Sequence, residues 1–426
     1  MVCHTIRQLD DFCEENLMND KNDLVIISAA RTPFGKFGGA LKEMHSSKLG
    51  EVVIREMMKR TGLAPDEVDE LYYGMCIQSE AALLYNVIGR QALIHAGLSP
   101  ETISLTIDRA CCSSMTSVHL GRKSILLGDA DICMAVGAEN MSNTPLVVNG
   151  HRWGTGLGKP ELVDHLNPIM YVGFKSLAAD VGEVAAEYNI GREMQDEWAY
   201  GSQMKYQAAK SAGKFEIGEE LTPVKIPQRK GDPVTFMEDE FPKAWTTVEG
   251  LANLKLVYGS PSVTAGNAPG LDAGASAIVI TRRDVADKKG LPVLAKILSV
   301  ASAAREPRKI AEVPAFAIKK ALKNANVNVD QLDVIEINEA FAAVPLVSTK
   351  ILSDGDDKRW QRLMKKTNPN GGAIAVGHPV GASGARVLMT AMYELRRRGG
   401  GVAAAAICGG LAQGDATVIE VDDTCL

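Results

Sequence analysis

The sequence predicts an α/β protein of two similar halves, each with a βαβ core, and a helical insertion that covers the first half. Three observations predict it. Apolar runs of strand length alternate with helix-length amphipathic segments, 40 glycines mark tight turns and close backbone approaches, and a strand, turn, helix, turn, strand pattern recurs near the C-terminus. With 426 residues, and roughly 100 to 200 per domain, there is room for two to four units. Hydrophobic residues at 46% and charged residues at 23% suit a chain that buries a large core. A formal net charge of -6 leaves no positive excess to hold a phosphate backbone, which argues against nucleic acid as the main partner.

Taken in order, residues 1–22 carry acids throughout and lack the apolar stretch of a secretory signal, so they read as a polar leader. Leu24 to Ser28 form a short apolar run ended by Ala-Ala-Arg-Thr-Pro, a buried strand entering a loop. A helix is expected from about Ser47 to Arg60. The stretch from Ile103 to Asn140 reads as one βαβ unit, with Gly128 and Asp129 closing its helix. Between about Met141 and Ala252 the pattern changes to charged amphipathic helices flanked by Pro- and Gly-bearing loops, the expected insertion. The second unit is VGHPVGASGARVLMTAMYELRRRGGGVAAAAICGG. Ser383 and Gly399 are spaced there as Ser113 and Gly128 are in the first, to within one residue, a weak sign of internal duplication. The expected division is 23–140 with about 253–290 for the N-terminal half, 141–252 for the insertion and 291–426 for the C-terminal half. Arg396, Arg397 and Arg398 end the last helix, where cations complement its dipole, and this reading is favoured over an anion site.

Eight cysteines stand at 3, 13, 76, 111, 112, 133, 408 and 425 with no CxxC pair, so neither a zinc cage nor a disulfide framework is expected, and a reducing cytoplasm fits. No run approaches the roughly 18 apolar residues of a membrane span.

Three places combine reactive side chains with small-residue backbone. In DRACCSSMTS a cysteine at a strand-to-helix turn lies near unpaired N–H groups and the positive end of a helix dipole, which favour thiolate. Core packing of the adjacent Cys111 and Cys112 is the equal alternative. In NPNGGAIAVGHPVGASGAR, His378 sits in a Gly run that would be costly to order without a purpose. In AAAAICGG, Cys408 ends an apolar strand just before Gly409 and Gly410, and by itself is another core cysteine.

Together with RTPFGKFGGALK, VGAENMS, REMQD, TAGNAPG and INEAFAA, these stretches resemble the thiolase family over nearly the whole chain, from about Asp23 to Val421. The resemblance implies a layered α-β-α-β-α fold with a lid insertion. It implies an acyltransferase, acetyl-CoA C-acyltransferase or C-acetyltransferase, of fatty acid metabolism and β-oxidation. Such an enzyme needs no metal and no permanently bound cofactor, uses coenzyme A as substrate, and works as a homodimer or homotetramer. The pattern C-x-S-x-[LM] fits Cys111, Ser113 and Met115, and the frame beginning at Cys112 loses it. The nucleophile thus maps to Cys111, the base to His378, the second acid/base cysteine to Cys408 and the NEAF asparagine to Asn338.

The implied reaction is reversible cleavage of a 3-ketoacyl-CoA by CoA through an acyl-Cys111 intermediate. Two oxyanion holes are needed. By resemblance one uses the N–H groups of Cys111 and Gly410, and the other His378 with a water held by Asn338. Arg229 falls where relatives place a basic residue beside the adenine end of CoA, against a solvated surface charge as the bland reading. Ala268, Phe341 and Met115 are expected at the substrate, Phe341 against a plain core role. The match loosens there: Pro269 stands where a pantetheine-contacting serine is usual, and Leu177 and Ala178 replace a Met-Gly pair. Substrate length is therefore open. The rival readings are a ketoacyl synthase-like or HMG-CoA synthase-like condensing enzyme and a catalytically silent CoA-binding protein of the same fold. A second histidine in place of INEAFAA would mark the synthases, and loss of Cys111, His378 or Cys408 the silent protein.

Overall fold

In a computed structural model of the chain, residues 23–82, 84–154, 156–166 and 171–426 are described; the leader expected at 1–22, with Cys3 and Cys13, lies outside them. The strands are β1 (Leu24–Arg31), β2 (Glu70–Gly74), β3 (Ile103–Ile107), β4 (Ile132–Asn140), β5 (Leu146–Val148), β6 (Leu162–Asp164), β7 (Val224–Ile226), β8 (Val234–Phe236), β9 (Ala273–Arg282), β10 (Ala295–Ala304), β11 (Val334–Ile337), β12 (Gly401–Gly409) and β13 (Gln413–Val421). Two short hairpins, β5–β6 and β7–β8, lie within 141–252, the stretch expected to be an insertion.

Nine strands form a ladder in the order β11-β12-β13-β10-β1-β9-β4-β2-β3. Its two parts are joined only where β1 meets β10, at Val25↔Lys296 and Ile26↔Ala295. On one side β2 runs parallel to β4, β4 antiparallel to β9, and β9 antiparallel to β1. On the other β11 runs parallel to β12, β12 antiparallel to β13, and β13 antiparallel to β10. Chain order and polarity repeat for four strands of each side, β1, β2, β4 and β9 against β10, β11, β12 and β13, so the duplication suggested by two helix lengths extends to the sheet, with β3 an addition to the first side.

The strands flanking the helix of the first βαβ unit, β3 and β4, are not neighbours, because β2 lies between them and is parallel to both. Burial explains the order. Ile103 and Leu105 of β3 are 66% and 51% exposed, a pattern only an edge strand tolerates, whereas β4 is buried along its whole length.

Helices fill three layers around these two sheet halves. Ser113–Leu127 and Ser383–Arg398 lie in the middle, where Met115 and Val118 meet Leu388 and Met392 and both pack on Ala135, Ile278, Ala405 and Ile407. Ser46–Thr61 covers the outer face of the N-terminal half through Val53, Ile54 and Met57. Val313–Ala325 and Ala343–Leu352 cover the outer face of the other half. The result is the α-β-α-β-α layering. Each middle helix begins with serine and stops at a left-handed glycine, Gly128 (φ 81°) or Gly399 (φ 82°), which a side chain would strain. Gly384 lets them touch: a Cβ there would lie 2.5 Å from the Met115 nitrogen. Among the described residues, no helix is long and apolar enough to cross a membrane.

Candidate active site

The site forms where the N-terminal ends of the two middle helices converge. On the first, Ala110 adopts φ 50° and its N–H is held by Asp108 Oδ1 at 2.9 Å. Ser113 Oγ accepts the Arg109 N–H at 2.9 Å and donates to the Ala110 carbonyl at 2.6 Å. This closed turn presents Cys111, partly exposed, while Cys112 points into the core between the halves and is fully buried. The frame chosen from the sequence is the one whose thiol reaches the site.

On the second helix, Gly377 (φ 109°) brings the backbone across Asp272, where a Cβ would come within 3.0 Å of the carboxylate. Asp272 Oδ2 accepts the His378 N–H at 2.7 Å. His378 Nε2 then lies 3.2 Å from Cys111 Sγ, and Nδ1 lies 2.6 Å from Ser383 Oγ. Ser383 has one hydroxyl proton and donates it to the Pro379 carbonyl at 2.9 Å. Its oxygen therefore accepts from Nδ1–H, which leaves the Nε2 lone pair facing the thiol. Burial, aided by the Arg386 charge, lowers the imidazole to about 3, so it rests neutral and able to take a proton.

The thiolate expected from the helix dipole is not the resting state. Burial, with the nearby Cys408, pushes the Cys111 thiol up, and burial pushes Cys408 up to about 12. Desolvation of a charge in this enclosed place outweighs the dipole at the helix start. Cys408 ends β12 with no exposure, and the two thiols are near enough for a charge on one to resist a charge on the other. Gly410, two residues on, is also buried, and a Cβ there would collide with the Tyr171 hydroxyl.

Asn338 follows β11 and is fully buried, with Nδ2 3.5 Å from His378 Nε2 and Oδ1 accepting from Arg386 Nη2 at 3.0 Å. Phe341 and Ala268 pack on the apolar cluster that includes Cys408 and Ala178. Met115, expected at the substrate, is instead fully buried against Gly384 in the middle layer, because residue 115 falls on the helix face turned to the opposite helix. Arg229 is exposed on the turn between β7 and β8, apart from this cluster. Arg396 and Arg397 donate to the carbonyls of Leu294 and Lys214, and Arg398 pairs with Glu394, as a helix end does.

Supporting groups went unread in the sequence. Glu139 accepts the N–H groups of Cys76, Ile77 and Gly381 at 2.9 to 3.1 Å, tying the histidine loop to the N-terminal half. Burial still raises it to about 8, and Asp272 to about 7. A lone acid within an apolar, small-residue run, as in AVGAEN and LDAGAS, was the only signal for either. Arg109 Nη1 reaches Asp415 of β13 at 2.9 Å, and Asp415 also accepts from Thr116 and Ser302.

The family description "Thiolase, N-terminal domain" matches residues 24–284, and "Thiolase, C-terminal domain" matches residues 291–421. The chain is 41% identical over 404 residues to the acetyl-CoA acetyltransferase of Cupriavidus necator, covering 93% of this chain and 99% of that protein. It is 40% identical over 407 residues to a beta-ketoadipyl-CoA thiolase of Acinetobacter baylyi, covering 93% and 98%. Among solved structures, human mitochondrial 3-ketoacyl-CoA thiolase in complex with CoA superposes with a TM-score of 0.86 at 34% identity, over 94% of this chain and 98% of that one.

Proposed function

The chain belongs to the thiolase family and is an acyltransferase with thiolase activity, and from that premise we propose that Cys111, His378 and Cys408 carry the cleavage of a 3-ketoacyl-CoA by CoA. The observation that carries the assignment is the neutral imidazole Nε2 at 3.2 Å from the Cys111 thiol. His378 takes the thiol proton as sulfur attacks the 3-keto carbon. The C2–C3 bond breaks, the acyl group stays on Cys111, and the acetyl-CoA enolate takes a proton at C2 from Cys408. The Cys408 thiolate then deprotonates incoming CoA, whose sulfur removes the acyl group, and His378 returns its proton to Cys111. The raised Cys408 thiol makes its thiolate a strong enough base to take the CoA proton. The N–H groups of Cys111 and Gly410 would hold one oxyanion, and His378 with an Asn338-bound water the other.

CoA is the substrate thiol, with no permanent cofactor. We place it beneath the lid, residues 141–252, with Ala268 and Phe341 toward the acyl group and Arg229 toward the adenine end. The solved structure of the human relative in complex with CoA supports CoA as the substrate thiol. The reaction fits acyl shortening in β-oxidation or its condensing reverse, in the cytoplasm. A homo-oligomer is supported by the edge strand β3, whose Ile103 and Leu105 face outward.

Cys111→Ala should lower thiolysis of acetoacetyl-CoA by about 10^4-fold and abolish the acyl adduct seen by peptide mass mapping. Retained turnover in the folded variant sinks the nucleophile assignment. Cys408→Ser should still accumulate the adduct while losing exchange at C2 of acetyl-CoA.

A further inference from the structure

We propose that Arg386 is a positioning residue for this reaction: by donating to Asn338 Oδ1 it turns the amide so that Nδ2 faces His378 and the reacting carbonyl oxygen. The inference rests on the reading of the site given above and adds a residue that never touches substrate.

An asparagine amide has one acceptor end and one donor end: a water held on the donor end accepts from it and keeps both of its protons for the oxyanion, whereas a water held on the acceptor end gives one of them up. A guanidinium carries donors alone, so the Asn338 atom 3.0 Å from Arg386 Nη2 must be the oxygen. That leaves Nδ2 on the opposite side, 3.5 Å from His378 Nε2. The contact therefore decides which end of the amide the reaction meets. Rotated, Asn338 would take one of that water's protons away from the developing negative charge.

The setting of Arg386 argues that the contact is not there for stability. Its side chain is 2% exposed, its Nε lacks a hydrogen-bond partner, and its counter-ion Glu336 approaches no closer than 3.8 Å. Neither Glu336 oxygen has a hydrogen-bond partner. A buried pair so loosely matched does not recover the cost of desolvating two charges. What the amide oxygen requires is a long side chain that carries donors alone, and burial raises Glu336 to about 8 even beside the guanidinium, so the pair is not held together by a full charge on each side.

The test is a double-mutant cycle on thiolysis kinetics, preceded by mapping the acyl adduct of the wild type. Arg386→Met should lower kcat by about 30-fold, less than the roughly 100-fold or more expected when an oxyanion-hole donor is removed outright, with KM within about threefold. In an Asn338→Ala background the same substitution should change kcat by less than about threefold, since the group it positions is gone. Arg386→Lys, which keeps a donor, should retain more activity than Arg386→Met. If Arg386→Met does not fold, the neutral pair Glu336→Gln/Arg386→Gln replaces it in the cycle. Equal losses in both backgrounds, or no loss, overturn the role of Arg386. An adduct absent from Cys111 overturns the reading of the site instead, whatever the cycle gives.

Discussion

The two middle helices, Ser113–Leu127 and Ser383–Arg398, begin and end alike, yet the strand tips beside them differ. Ahead of the first helix, β2 ends in Gly74, where a Cβ would lie 2.6 Å from the Ser114 nitrogen. Ahead of the second, the equivalent strand β11 runs into Asn338, which reaches His378 and Arg386. One half uses its strand tip for backbone packing and the other for polar chemistry. The thiol proposed as nucleophile thus comes from the half whose turn is closed by its own hydrogen bonds, and the imidazole, the second thiol and the amide proposed to act with it come from the half that carries Arg386. Duplication supplied two equivalent helix starts, and divergence at a few positions gave them different chemical tasks.

The largest effect should come from uncoupling the halves. Arg109 stands two residues before Cys111 and pairs with Asp415, which is fully buried on β13 beside the Cys408 strand. Arg109→Met strands that carboxylate and should destabilise the protein by about 3 kcal/mol in denaturant unfolding. The double variant Arg109→Met/Asp415→Leu should recover at least half of the loss. Equal destabilisation in both would mean that the ion pair is not what joins the halves.

A pH experiment sharpens the comparison, because it asks whether the first half holds a thiolate by itself. With Cys111 raised and His378 neutral down to about 3, alkylation of Cys111 by iodoacetamide should climb about tenfold per pH unit between pH 5 and 8. A plateau across that range would show a preformed thiolate and break the account. The lowered histidine also fixes a sign. Its contribution to stability is present above 6.5 and is lost as pH falls through about 3, since the unfolded chain takes up the proton first.

The smallest effect is expected at Cys112. Its sulfur packs in the interhelical core and lies 3.6 Å from the Ile407 carbonyl, so Cys112→Ala should cost about 1 kcal/mol and change thiolysis by less than about threefold. A dead Cys112→Ala beside an active Cys111→Ala would transfer the nucleophile to the other sulfur.

Read without its fold, the chain already marks the groups proposed to react. Cys111 before Ser113, His378 before Ser383 and Cys408 before Gly410 are local patterns, as are the helix stops at Gly128 and Gly399, because turns and caps depend on neighbouring residues. Strand order was harder. Nothing local in residues 103–140 says that β2 intrudes between β3 and β4, since pairing is settled by which strand can be buried on both faces.

Protonation and support belong to the tertiary structure. The sequence by itself determined that a thiol sits at a helix start, where the dipole favours its anion. Only the packed molecule decided that desolvation outweighs that dipole. The partners Asp272, Glu139, Arg386 and Asp415 stand tens to hundreds of residues from the groups they hold. Backbone conformation is chosen over a few residues, whereas the environment of a buried charge is assembled from segments that meet only when the two halves close on each other.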